Sequence, residues 1–381
     1  MQLENCRKEI DLIDKEITEL FCRRMKTAKE IAMYKKENNM NVYDPQRETT
    51  LLEKVEQAAG EEMGDYTRRL YASILNISRA YQNTYLLPEA SVTETIKTAV
   101  EETPQLFPEK ATVACQGIEG AHSSKAAKKL FEKATLMYCQ TFEGVFQAVE
   151  NGLCRYGVVP LENSSAGSVN QIYSLISKYN FSIVRSIKMH ITHSLLANKG
   201  AKLENIKEIY SHPQAISQSS ELLASLKGVK VVPCENTAVA AKMVSDLGRD
   251  DVAALASVDC AQMYSLDVIM PQAQNTANNY TRFICFSKKL EIYPGADRTS
   301  LLIKTAHRAG ELSNVISNFY AVGVNILKLE SRPIPETDFE FMFYFDIDVS
   351  IYSEKLPVII NMLVNSLGKN NVKYLGSYRE V

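Results

Sequence analysis

No apolar run in these 381 residues approaches the roughly 20 needed to span a membrane, and residues 1–10 are too polar for a secretory leader. A cytoplasmic chain with no membrane partner is expected. No basic block disturbs the balance of 43 Lys and Arg against 45 Asp and Glu, so nothing points to nucleic acid. The eight cysteines include no Cys-x-x-Cys pair; free thiols in a reducing compartment are expected, with no disulfide framework or zinc site. Five histidines without a His-x-x-x-His pairing make no metal centre. A glycine-rich phosphate loop ending in Lys-Ser/Thr is missing too, which argues against a nucleotide enzyme. No Ser-His-Asp triad, internal repeat or low-complexity tract is evident. Neither a metal nor a cofactor is expected.

What is present begins with helices. The length suggests two to four domains. Upstream of Asp44 the sequence reads as one helix facing an apolar core through Ile10, Ile13, Ile17, Leu20, Ala28 and Ile31. Cations interrupt that stripe: Arg24 lies one turn beyond Leu20, and Lys35 one turn beyond Ile31. They stand roughly 16 Å apart along the axis and within about 20° of one face, a spacing that brackets a small dianion. Arg7 is roughly 25 Å from Arg24 along the same helix. If it acts, it serves the site of a second copy, which implies a dimer. Asp44-Pro45 then offers a cap and a first residue for a second helix, bringing Arg47 and Glu48 to its start. A third helix after Asp65 places Ser78 and Gln82 on the face of Ile74. Taken singly, each cation also fits a solvated helix face.

Arg7, Arg24, Lys35, Asp44, Glu48, Ser78 and Gln82 together resemble, in type and spacing, the all-helical chorismate mutase family over about residues 1–88. The resemblance implies that Arg24 and the second copy's Arg7 hold two carboxylates. Lys35 and Gln82 would then donate to the ether oxygen of chorismate, while Asp44 and Glu48 fix the ring hydroxyl. Arg47 would orient its neighbours. Such chemistry needs no nucleophile, only a held conformer and stabilised charge.

Residues 89–109, rich in Thr, Glu and Pro, read as a linker. From Ala111 the pattern alternates: strand 111–115, helix near 123–132, strand 135–139, helix Phe142–Asn151, strand Tyr156–Val159. That is the grammar of a doubly wound α/β fold. Four loops at strand ends stand out. Gln116 to Ser123 carries glycines before a helix start, a place suited to an anion and equally to a plain turn. Pro160 to Gly167 brings carboxylate, amide and hydroxyls to a strand's C-terminal edge, where open α/β sheets bind ligands. Ser211-His212-Pro213-Gln214-Ala215 follows a third strand, with Gln218 one turn on. Thr281-Arg282-Phe283 opens a last apolar strand. Hydroxyls, amides and Arg282 suit a small carboxylate and an easy elimination.

Gly117, Gly120-Ala121, Glu162-Asn163-Ser164, His193, Ser211 to Ala215 and Thr281-Arg282-Phe283 resemble the signature stretches of prephenate dehydratase over residues 110–288. The family implies two subdomains around a cleft, like a periplasmic binding protein, with Thr281 as the central catalytic residue. It places Glu162, Asn163, Ser211 and Gln218 along the cleft; Ser164, His193, Arg282 and Phe283 are expected to bind prephenate with them. Cys115 and His122 stand where the family usually has aromatic residues, which implies a changed lining.

Residues 297–378 switch to β-α-β-β-α-β: Ser300–Lys304, Leu312–Ala321, Asn325–Glu330, Phe339–Asp348, Lys355–Leu367 and Val372–Tyr378. This is the ferredoxin-like order. His307 to Leu312 and Glu330-Ser331-Arg332-Pro333 resemble the ligand loops of an amino-acid-binding ACT domain, with Ala309 and Glu311 departing from its pattern. The resemblance implies L-phenylalanine as effector at Gly310, Leu312, Glu330, Ser331 and Arg332; a plain dimerisation domain fits as well. The whole chain is thus similar to the bifunctional chorismate mutase–prephenate dehydratases. The expected fold is a helical domain, an α/β domain of two subdomains and an α+β ACT domain, assembled as a homodimer or higher oligomer. A non-catalytic sensor, or a mutase beside a dead dehydratase, stays open.

Overall fold

The computed structural model describes residues 3–38, 40–85, 91–276, 278–308, 310–334 and 341–381. Ala309, Phe339 and the end of the first expected domain at 86–88 lie outside them. The chain forms two compact units. One comprises residues 1–98 with 297–374, the other 99–296 with 375–381.

In the first unit, Leu3–Glu37 is a single helix, α1, with Glu4 in its first turn and Lys35 and Lys36 in its last, as the helix dipole favours. Its stripe does not face a core along its whole length. Ala28 and Ala32 are buried, whereas Ile10, Ile13, Ile17 and Leu20 are 48–56 % exposed. Asp44 caps α2 (Pro45–Tyr85) by accepting from the Arg47 N–H at 3.1 Å, with Pro45 in the first position. That helix breaks at Gly60, ahead of the expected boundary at Asp65. The φ there is 73°, which only glycine adopts at little cost. A further helix, α3 (Ser91–Glu102), occupies much of the expected linker. Its Thr- and Glu-rich composition hides an apolar pair three apart, Ile96 and Ala99, both buried.

The second unit contains two sheets. Strands β1 (Lys110–Gln116), β2 (Lys133–Cys139), β3 (Tyr156–Asn163), β4 (Gly167–Ser168) and β5 (Ser182–His190) belong to one. Strands β6 (Ser194–Ala197), β7 (Glu208–Ser211), β8 (Lys230–Pro233), β9 (Val252–Ala256) and β10 (Asp267–Met270) form the other, and β11 (Tyr280–Ser287) returns to the first. The orders are β2-β1-β3-β11-β5 and β10-β6-β9-β7-β8. Both sheets are mixed rather than wholly parallel. β5 and β11 pair antiparallel where the chain leaves the first sheet for the second and comes back. Every residue of β9 is buried, as a strand covered on both faces requires.

The C-terminal sheet is antiparallel along β13-β14-β12, and β15 pairs with β12. It uses β12 (Arg298–Thr305), β13 (Ile326–Pro333), β14 (Phe341–Ile347) and β15 (Val372–Tyr378). Its helices Glu311–Val322 and Lys355–Leu367 share a core with α2, in which Ala80 meets Val358 and Met362 beside Ala321 and Val322.

Candidate active sites

A cavity of about 500 Å³ opens between α1 and the two halves of α2. Arg24, Lys35, Asp44, Arg47, Glu48, Ser78 and Gln82 line it, so helical spacing alone brings together all the expected residues but Arg7. Arg7 is exposed and lies outside the lining. The half-buried guanidinium of Arg24 leaves Nη1 with no protein partner, a donor available to an occupant of the cavity. Lys35 donates to the Val42 carbonyl at 2.6 Å. Burial pushes its pKa below the ordinary lysine range, against the pull of Asp44 and Glu48. Gln82 spends its amide N–H on Ser78, at 3.2 Å to both the carbonyl and the hydroxyl, and leaves Oε1 unpartnered. A half-turn of that amide exchanges its ends.

One member of the cavity was missed by sequence reasoning. Arg79 pairs with Glu48, hydrogen-bonds Asn76 and sets its guanidinium 5.0 Å from the Tyr43 ring centre. With Arg24, Lys35 and Arg47 it makes four cations against Asp44 and Glu48, a formal excess of two positive charges that matches a dianion.

The second cavity, of about 400 Å³, lies where strand ends of both sheets meet. Asn163, His193, Gln218, Thr281 and Phe283 line it as expected, joined by Gln116, His122 and His212. Asn163 and Thr281 face each other across β3 and β11. The Asn163 amide donates to Thr281 Oγ1 at 2.8 Å and to Asn279 Oδ1 at 2.8 Å. Asn163 is itself fixed, since its Oδ1 accepts from the N–H groups of Ser165 at 3.0 Å and Ala166 at 2.9 Å. The threonine oxygen is thereby an acceptor already, which leaves its proton for whatever occupies the cavity.

Four expected residues do not reach this cavity. Ser211 is fully buried and donates to the Leu255 carbonyl at 2.7 Å. The Ser164 hydroxyl braces the turn before β11, donating to Asn278 and accepting from the Tyr280 N–H. Arg282 and Glu162 pair with each other at 3.2 Å. Successive strand residues point to opposite faces, so with Thr281 and Phe283 turned to the cavity Arg282 turns away. Among the described residues no Lys or Arg lines the cavity, whereas the carboxylate of Glu235 does. Positive potential comes instead from backbone: helices His122–Leu130, Asn170–Lys178 and Thr237–Leu247 all begin in its wall.

Burial works against the charged form of the histidines here. Burial first, then His193 and Lys125, pushes His122 down to about 3. Burial also lowers His193 and His212, although a contact with Gln218 partly restores His193. His193 Nε2 faces Gln218 Oε1 at 3.2 Å, an acceptor, so the ring proton sits there and Nδ1 is left a bare, unpartnered lone pair.

In the C-terminal sheet, Thr305 and Pro333 pair with Phe341 from opposite sides, which brings residues 306–308 and the end of β13 to one end of the sheet. Gly310 starts the helix there with a φ of 92°, and Glu330 stands between Lys328 and Arg332 at 3.9 and 3.8 Å. All eight cysteines are free, and among the described residues no helix is long and apolar enough to cross a membrane.

A helical cavity with a formal excess of two positive charges and a second cavity of amides, hydroxyls and the Glu235 carboxylate lie on separate units, and both linings suit small organic acids. Residues 6–83 match chorismate mutase type II and residues 113–291 match prephenate dehydratase. The chain is 30% identical over 380 residues to the bifunctional chorismate mutase/prephenate dehydratase of Enterobacter agglomerans, covering 98% of this chain and 94% of that one. Its counterpart from Buchnera aphidicola is 32% identical over 356 residues, 91% and 89% of the two chains. The crystal structure of prephenate dehydratase from Arthrobacter aurescens in complex with L-Phe superposes with a TM-score of 0.64 at 25% identity, covering 70% of this chain and 90% of that one. This chain belongs to the bifunctional chorismate mutase/prephenate dehydratase family. It rearranges chorismate to prephenate and converts prephenate to phenylpyruvate in phenylalanine biosynthesis.

Proposed function

We propose that the two reactions occur in the two cavities just described and that each is driven by placed charge and hydrogen bonds. In the helical cavity, the unpartnered Arg24 and Arg7 of the partner subunit bind the two carboxylates of chorismate and hold its compact conformer. Lys35, and Gln82 after its amide turns, donate to the ether oxygen as charge grows there. Asp44 and Glu48 take the ring hydroxyl, with Arg79 holding Glu48 in place. The exposed stripe on α1 supports the dimer: burying the exposed half of Ile10, Ile13, Ile17 and Leu20 against a second copy contributes roughly 1 kcal/mol each.

In the second cavity, Thr281 donates its proton to the departing hydroxyl, which leaves as water while the ring carboxylate leaves as carbon dioxide, and the threonine regains a proton from solvent. Asn163 supplies what threonine alone lacks, since donation into Oγ1 polarises the O–H bond. That bond is the observation that carries the reading. Helix N-termini take the place of Arg282 as carboxylate partners. We place L-phenylalanine at Gly310, Leu312, Glu330, Ser331 and Arg332, with the glycine admitting close backbone approach, and the protein in the cytoplasm.

The test is an assay of the full-length chain, first on chorismate and then on added prephenate, with and without phenylalanine. Turnover of both, slowed by phenylalanine in the second step, is expected. Turnover of chorismate with inert added prephenate would remove the dehydratase reading.

A further inference from the structure

Arg282 is 6 % exposed, turned from the cavity and still surrounded by polar groups. Its Nη1 meets Glu162 at 3.2 Å, its Nη2 donates to the Tyr378 hydroxyl at 2.8 Å, and its Nε lies 2.9 Å from Glu380. Tyr378 and Glu380 belong to the last seven residues of the chain, which complete the second compact unit although β15 begins in the first. This tail is docked along β5. The Ser186 N–H donates to Arg379, the Val381 N–H to Ser186 and the Lys188 N–H to Val381, at 3.1, 2.9 and 3.1 Å. Gly376 comes so near β5 that a Cβ there would meet the Ile183 carbonyl oxygen at 2.3 Å. A charged clasp thus closes on the residue that separates Thr281 from Phe283.

We infer that Tyr378 and Glu380 are positioning residues of the dehydratase, acting through Arg282 on the placement of Thr281. The register supplies the reason. Arg282 stands opposite Glu162 on the rung next to Thr281 opposite Asn163. The clasp pins the first rung from outside, and the second rung carries the hydroxyl that meets the substrate. β3 has an extra residue in this stretch, where the pairing slips between Arg282 and Phe283, so the ladder alone holds the strand less firmly. A buried guanidinium with three anchors resists the shift that the irregular ladder permits. The inference rests on the assignment of dehydration to the Thr281 cavity.

Full-length Tyr378→Phe, Glu380→Gln and the double variant test it on supplied prephenate. The double variant is expected to lose about tenfold in kcat or more, with KM within about twofold, because the hydroxyl is misplaced and binding is not. Mutase turnover in the same preparations stays at the parent value and reports folding of the other unit. A rise in KM at unchanged kcat would mean that Arg282 is held for the substrate and would overturn the inference, as would parent values of both constants. Should the double variant fail to fold, Tyr378→Phe decides, since it removes one oxygen; a fall of about threefold in its kcat alone is expected, and parent kinetics overturn. Thr281→Ala is measured alongside. If it stays active, the cavity assignment has failed; if it is dead while the clasp variants are unchanged, only the clasp has failed.

Discussion

The amide of Asn163 donates to the hydroxyl oxygen of Thr281, so the geometry assigns threonine's own proton to the cavity. Replacing Asn163 by Asp reverses that polarity, because an ionised carboxylate only accepts and draws the threonine proton to itself. Asn163→Asp is expected to lower dehydratase kcat by about a hundredfold or more, the usual cost of one misdirected donor. Thr281→Ser, which keeps the hydroxyl, is expected to retain most of the activity. Steady-state assays on supplied prephenate check both.

Lys35 must carry charge to stabilise the ether oxygen, yet burial lowers its pKa. Mutase activity is therefore expected to fall with rising pH earlier than an ordinary lysine, near 10.4, would allow. Stability moves the other way. The unfolded chain binds the Lys35 proton more tightly than the folded one, so this group's contribution to stability rises with pH between the two pKa values. Lys35→Ala should cost the mutase about a hundredfold and leave dehydration of supplied prephenate unchanged. A pH–rate profile of each reaction, parent and variant, reads both effects.

Arg7 lies too far along α1 to join the cavity of its own chain. Chains carrying Arg7→Ala and chains carrying Arg24→Ala are each expected to be inactive as mutases. Mixed dimers should recover activity, since one of their two sites holds both arginines. Mixed dimers that form and stay dead would remove the role of Arg7 in trans.

Glu48 and Arg79 form a pair in which each side chain is 18% exposed. Arg79→Leu leaves the carboxylate partly buried without its partner, and is expected to lower stability by about 1–3 kcal/mol and mutase kcat/KM by about tenfold. Adding Glu48→Gln should return most of the stability and none of the activity. Thermal melts and mutase assays of the single and double variants distinguish the two effects.

Helical periodicity made most of the mutase cavity legible, because Arg24, Lys35, Ser78 and Gln82 recur on facing stripes. Arg79 escaped because its partner Glu48 is 31 residues away and lies on another part of the helix pair. Periodicity marked the stripe of α1 but not what covers it, and every member except Ala28 is 41–56 % exposed. In the dehydratase, a signal that was present went unused. Thr281-Arg282-Phe283 and Glu162-Asn163 are consecutive strand residues, and a period of two forbids neighbours from sharing the cavity. Ser211 failed differently: its strand end was located correctly, but its hydroxyl is spent on Leu255. A C-terminal boundary drawn at Tyr378 from strand pattern likewise says nothing of residues 379–381, whose backbone pairs with β5.

The central claim is that dehydration belongs to the Thr281 cavity and is separate from the mutase. Thr281→Ala tests it most directly, with both activities assayed in one preparation and prephenate binding followed by calorimetry. The expected result is a dehydratase loss of about a hundredfold or more, prephenate still bound, and mutase turnover at the parent value. Retained dehydration, or parallel loss of both reactions in a folded protein, would contradict it.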